Sequence, residues 1–183
     1  PVKSSYFGIV DTAGIPKNDY YLYQSQWVDL DQQPMVHILP HWNWEIHKSY
    51  QQVVDKYGDI PVRVYSNAGS VELFLNGKSK GRKTFQEKWT SDGRKYQEGE
   101  GFDQLYLEWR LPYQPGELHA VAYDRQGQIV AEDRVVTAGK PAKIGLHADK
   151  SQLEPDGQDL LYLYFDVLDK DGNWVPSAFN QLH

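Results

Sequence analysis

Residues 62–81 read VRVYSNAGSVELFLNGKSKG, and the fold follows from them. Val62 and Val64 alternate first, and Val71, Leu73 and Leu75 then take every second position. A period of two puts such residues on one face of a strand, the face that must find a core. Ser66-Asn67-Ala68-Gly69 separates the two runs with residues that tolerate tight bends. Asn76-Gly77 ends the second run, and this pair adopts positive φ at low cost. The stretch therefore predicts strand, turn, strand, turn: the centre of an antiparallel β-sandwich.

Working outward, Leu105, Leu107 and Trp109 alternate as a further strand. Leu118–Tyr123 and Ile129–Ala131 form a hairpin around Arg125-Gln126-Gly127. Ala120, Ala122 and Ala131 are small enough to let two sheets approach. Residues 86–103 are polar and Gly-rich, so a long loop or irregular hairpin is expected there. A strand opening at Pro34 carries Val36, Ile38 and Pro40 on one face. The count, six or seven short strands in about 100 residues, is that of an immunoglobulin-like sandwich.

The two ends read differently. Asn18-Asp19 after Pro16 signals a helix start, and Tyr20, Tyr23, Gln24 and Trp27 share an i, i+3, i+4, i+7 stripe. One helix is expected from about Asn18 to Trp27. It is too short to be stable alone and needs a docking surface. At the other end, Ala138–Pro141 reads as a linker. Ile144-Gly145-Leu146 and the apolar run Leu160–Leu168 are two strands, and Asp169–Gly172 is read as a type I′ turn leading to Trp174-Val175. These are too few strands for a sandwich of ordinary size, so 139–183 is expected to be a truncated β-module.

Composition narrows the function classes. Aromatic residues make up 14% of the chain, with 13 Tyr and 6 Trp, enough either for sugar-stacking surfaces or for an aromatic-rich core. The net charge of −6, with signs well mixed, argues against nucleic acid as a partner. No cysteine is present, which excludes disulfides and thiolate chemistry. No apolar run approaches the ~20 residues of a membrane-spanning helix, and no signal peptide is visible.

SNAGSVELFLNGKSKG (66–81), YFGIVDTAGIPKNDYYLYQSQW (6–27) and PMVHILPHWNWE (34–45) together resemble the family 2 glycoside hydrolases, in particular the bacteroidetes-type β-galactosidases. The resemblance covers nearly the whole chain. It implies a mainly β fold: 1–33 as the end of a catalytic (β/α)8 barrel with its last helix, 34–138 as an immunoglobulin-like domain, and 139–183 as the start of a further sandwich. It implies a parent enzyme that hydrolyses terminal β-galactosides with retention, through two glutamates, without a cofactor. A periplasmic or cell-surface location goes with it, as do a carbohydrate substrate and contacts open to a homo-oligomer.

The catalytic pair is not expected in this chain. Retention needs two carboxyl groups about 5–5.5 Å apart. In the resembled family the acid/base glutamate follows an asparagine, and no Asn-Glu dipeptide occurs among these residues. No catalytic residue is carried over. Tyr6 and Phe7 match a segment near the family's active-site rim, and Trp42 and Trp44 would share one face of a strand as a platform for sugar. The competing reading is that the two indoles fill a buried seam. Gly77–Gly81 matches a nucleophile-elbow pattern around Ser79, but a hairpin turn precedes it and no helix follows. Asp169–Gly172 lacks the later ligands of a calcium loop. His37, His41 and His47 are too spread for one metal ion, so no metal site is expected. The alternative to an enzyme fragment is a freestanding carbohydrate-binding or adhesion sandwich using Trp42, Trp44, Trp89 or Trp174.

Overall fold

The computed structural model describes residues 7–11, 14–44, 52, 59–101 and 104–180. Helix α1 (Asn18–Trp27) precedes strands β1 (Val36–Leu39), β2 (Ile60–Ser66), β3 (Ser70–Leu75), β4 (Lys78–Thr84), β5 (Gln86–Trp89), β6 (Lys95–Glu98), β7 (Leu107–Leu111), β8 (Glu117–Tyr123), β9 (Ile129–Val136), β10 (Lys143–Ala148) and β11 (Leu163–Leu168). A three-stranded sheet β1-β2-β7 faces a four-stranded sheet β4-β3-β8-β9. All pairings are antiparallel. This is the immunoglobulin-like sandwich.

The alternation read from the sequence is the alternation of burial. Ile60, Val62 and Val64 on β2 are fully buried, as are Val71 and Leu73 on β3, and Leu75 nearly so. Leu118, Ala120 and Ala122 on β8, with Leu107 and Trp109 on β7, close the core. Ala120 and Ala122 sit inside it, whereas Ala131 is only half-buried. The Ser66–Gly69 bend does not fold one strand onto its neighbour. β2 and β3 lie in different sheets, so this link carries the chain across the core.

Asn76-Gly77 is the β3–β4 hairpin, with φ of 52° and 74°. The Asn76 side chain also reaches the next strand entrance: Nδ2 donates to Pro115 O at 3.1 Å, and Oδ1 accepts from Glu117 N at 2.8 Å. Gly116, at φ 135°, lies under it, and a Cβ there would stand 1.8 Å from Asn76 Oδ1. Gly77 has no heavy atom within 4 Å of its would-be Cβ. Gly77→Ala should therefore cost only the left-handed backbone penalty, about 1–2 kcal/mol. Gly116→Ala should cost more, because the backbone penalty adds to a displaced Asn76. Urea midpoints of the two variants check the order.

Four expectations change. β1 ends at Leu39, so Pro40 lies beyond the strand on whose face it was expected, and residues 41–44 are outside the sheet. Of the loop or irregular hairpin expected at 86–103, residues 86–98 take the hairpin, with the regular pairing of β5 and β6 closed by Thr90 and Arg94. The α1 cap is not Asn18 or Asp19. Lys17 precedes the helix without a side-chain cap bond, and Asn18 Oδ1 instead lies 3.2 Å from His37 Nε2. The Asp169 turn is not type I′, since Gly172 alone has positive φ.

Candidate functional site

The carboxylates are the first groups to place. Glu108 meets Arg63 at 3.1 Å and Arg110 at 3.0 Å. Glu117 meets Arg134 at 2.7 Å, Glu72 meets Arg82 at 3.6 Å, and Glu98 meets Lys88 at 3.7 Å. Glu87 pairs with both Lys95 and Arg125, and Glu100 with Lys83. Hydrogen bonds from Lys95 and Arg125 hold the Glu87 carboxyl below the usual glutamate range. His119 and Arg134 do the same to Glu132. A glycosidase acid needs the opposite, a carboxyl raised by an apolar pocket or by a second carboxylate. These groups are engaged in ion pairs within strands, between strands and with neighbouring turns.

Ser79, the centre of the elbow-like pattern, sits on β4, and its Oγ donates to Glu72 Oε1 at 2.6 Å. Its Oγ also accepts from Gly81 N at 3.1 Å, no imidazole among the described residues bonds it, and the strand continues to Thr84. His37 stacks on Tyr21 with centroids 3.8 Å apart, and burial lowers its pKa against the opposing pull of Asp133. His41 Nδ1 accepts from Asn43 N at 3.2 Å, and His47 lies outside the described residues.

Of the four aromatic candidates, Tyr6 lies outside the described residues, and Phe7 is exposed. Trp42 and Trp44 are not on a strand, and both are buried in the core. Trp42 Nε1 donates to Gln114 O at 2.8 Å, and its ring meets Tyr113 edge-on at 5.4 Å. Thr137 Oγ1 donates to Trp42 O at 2.6 Å. Between the indoles, Asn43 exchanges two hydrogen bonds with Ala138. The segment is a seam that ties the start of the sandwich to its last strand. Neither ring leaves a face of the kind a sugar platform needs. The exposed indoles are Trp27, Trp89 and Trp174.

Two apolar faces have no cover among the described residues. On α1, Ser25 and the Tyr21–His37 stack lie toward the sandwich, while Tyr23 and Trp27, 41% and 75% exposed with rings 4.8 Å apart, point away. On the β10–β11 ribbon, Ile144, Leu146 and Ala148 stand opposite Val167, Phe165 and Leu163. Directly paired residues share a face, so all six apolar side chains lie on one side. The other side carries His147 and Asp166, 3.2 Å apart.

Asp169 ties the end of this ribbon to the Gly139 linker that leads into it. Its carboxylate accepts from Gly139 N at 2.8 Å, Asp171 N at 2.9 Å, Asn173 N at 2.8 Å and Asn173 Nδ2 at 3.0 Å. The bond from Gly139, with those from Asn173 and Asp171, holds the Asp169 carboxyl far below the usual aspartate range. A carboxyl whose folded pKa is depressed adds stability above its unfolded value of about 3.9 and loses it as pH falls further. Asp169→Asn should therefore flatten the loss of stability below about pH 4. Thermal midpoints of the two proteins from neutral pH downward measure this.

Similarity to known proteins fits this arrangement. Residues 58–131 match a family model described as a domain of unknown function, DUF4982. The beta-galactosidase BoGH2A of Bacteroides ovatus is 42% identical over 180 residues, which is 98% of this chain and 18% of that protein. A glycosyl hydrolase family 2 member from Bacteroides cellulosilyticus, whose structure is solved, is 30% identical with a TM-score of 0.67, covering 93% of this chain and 22% of that one. The chain belongs to glycoside hydrolase family 2. It spans about a fifth of the length of these family 2 relatives. A Formosa agariphila protein whose name proposes β-glucuronidase activity is 35% identical over 176 residues, 96% of this chain and 15% of that protein. The family 2 sandwich is thus shared by relatives named for different sugars.

Proposed function

We propose that this chain is the non-catalytic C-terminal portion of a β-galactosidase-like family 2 glycoside hydrolase, and that its work is scaffolding. The observation that carries this reading is the pair of apolar faces, one on α1 and one on the β10–β11 ribbon, left uncovered among the described residues beside a sandwich with its own core. The Tyr23–Trp27 face of α1 docks on the catalytic barrel, of which residues 1–33 are the last part. The six-residue face of β10–β11 is covered by the remaining strands of a second sandwich, which opens at 139. An isolated two-stranded ribbon is marginal in water, so such a face calls for cover. The parent hydrolyses terminal β-galactosides by a retaining, two-glutamate mechanism, with both glutamates on the barrel. Similarity to the Bacteroides ovatus protein, which is named a beta-galactosidase, supports that sugar over a glucuronide.

The purified 183-residue chain should show no turnover of chromogenic β-galactosides or β-glucuronides. Turnover of either, lost on substitution of a carboxylate of this chain, would refute the scaffold role.

A further inference from the structure

Asn76 is the single asparagine of this chain that precedes a glycine. The pairing brings a chemistry beyond the turn it shapes. A backbone nitrogen that follows asparagine can attack the side-chain carbonyl carbon, and a glycine, without a Cβ, leaves that nitrogen open to close approach. Both residues are exposed, so water and hydroxide reach them.

The step needs only water. Gly77 N gives its proton to solvent base and bonds to Asn76 Cγ. The Cγ–Nδ2 bond breaks, and the nitrogen leaves as ammonia, its added proton drawn from solvent. Water then adds to either carbonyl of the cyclic imide. Opening at one yields aspartate; opening at the other yields isoaspartate, in which the main chain runs through Cγ. In net terms, a side-chain amide and water become a carboxyl group and ammonia.

The intact turn opposes this attack in two ways. The imide ring closes only when Gly77 N eclipses the Asn76 Cα–Cβ bond. Asn76 instead has φ 52°, in the left-handed region. There ψ is about +47°, which sets the next nitrogen nearly opposite Cβ. The amide itself is also held, with Nδ2 donating to Pro115 O at 3.1 Å and Oδ1 accepting from Glu117 N at 2.8 Å. Asn76 N donates to Glu117 O at 2.9 Å, and Leu75 pairs with Lys78 across the turn. Rotating Asn76 into the reactive geometry breaks this arrangement.

We propose that Asn76 is a latent modification site, closed while the β3–β4 turn sits on the Pro115–Glu117 segment and converted to aspartate and isoaspartate when the two part. Conversion runs one way. A carboxylate at position 76 still accepts from Glu117 N but has no proton for Pro115 O. Isoaspartate adds a methylene to the main chain of a two-residue turn. The junction of β3, β4 and β8 thus keeps a chemical record of each opening. The site is independent of the scaffold role, since it needs neither a barrel nor a second sandwich.

The test follows position 76 of the 183-residue chain in mild alkali, folded and in urea, by peptide mapping that resolves aspartate from isoaspartate. The folded chain should convert at least about tenfold more slowly than the unfolded one. Gly116→Ala places a Cβ 1.8 Å from Asn76 Oδ1 and 2.6 Å from Cγ, so the held amide must give way. While folded, that variant should convert at least about threefold faster than the folded wild type. Conversion of the folded wild type at or above the unfolded rate overturns the proposal. So does conversion in neither state, or a folded Gly116→Ala chain that converts at the wild-type rate. Should Gly116→Ala not fold, the two wild-type rates decide alone.

Discussion

Trp42→Ala should lower the unfolding free energy by about 3–5 kcal/mol. The side chain is fully buried in the core cluster and is among its largest members. Its loss removes transfer energy and leaves a cavity between the two sheets, with Tyr113 on one side. It also strands Gln114 O, which now accepts from the indole. Trp42→Phe should recover most of the packing but not the hydrogen bond, and so fall between. Equilibrium unfolding in urea measures all three proteins. A loss for Trp42→Ala below about 1 kcal/mol would mean that the ring is not in the core and would restore the sugar-platform reading.

Asn67→Ala should cost about 2–4 kcal/mol, the second large effect. Asn67 is 6% exposed, and its side chain makes three hydrogen bonds. Oδ1 accepts from Met35 N at 2.9 Å, while Nδ2 donates to Val28 O at 3.0 Å and Gln33 O at 2.9 Å. One amide therefore fastens the segment after α1 and the start of β1 to the bend between the two sheets. Removing it leaves a buried donor at Met35 and two carbonyls without this partner. Asn67→Asp keeps the acceptor but sets a carboxylate against those carbonyls, and it should be worse than alanine above about pH 5 and recover in acid. Amide exchange of Met35 and the urea midpoint check both variants.

The sequence and the structure agree where one periodicity decides the outcome. Val62, Val64, Val71, Leu73 and Leu75 could only face a core, and they do. The Asn18–Trp27 helix is present with the bounds its pattern suggests. Side chains that act across long sequence separations were not legible. Asn67 sits in a run of bend-formers and reads as one more, yet the partners of its side chain are 32 or more residues away in every case. No local pattern could announce that. Trp42 and Trp44 looked like strand neighbours because alternation was extended past Pro40, where the backbone leaves the sheet. The hydrogen bond from Gln97 N to Gln26 Oε1 joins a helix to a hairpin 71 residues on. Two glutamines carry no motif.

The outer strand of the four-stranded sheet, β4, reads KSKGRKT, with four cations in seven residues. Hydrogen bonding to β3 occupies only one of its sides. Were a second copy to add itself along the free side, lysine and arginine would be laid against lysine and arginine. Lateral growth into ribbons is thereby discouraged at the point where an open sheet is most prone to it. For a chain whose described residues leave apolar faces on α1 and on the β10–β11 ribbon bare, that repulsion closes one route to self-association.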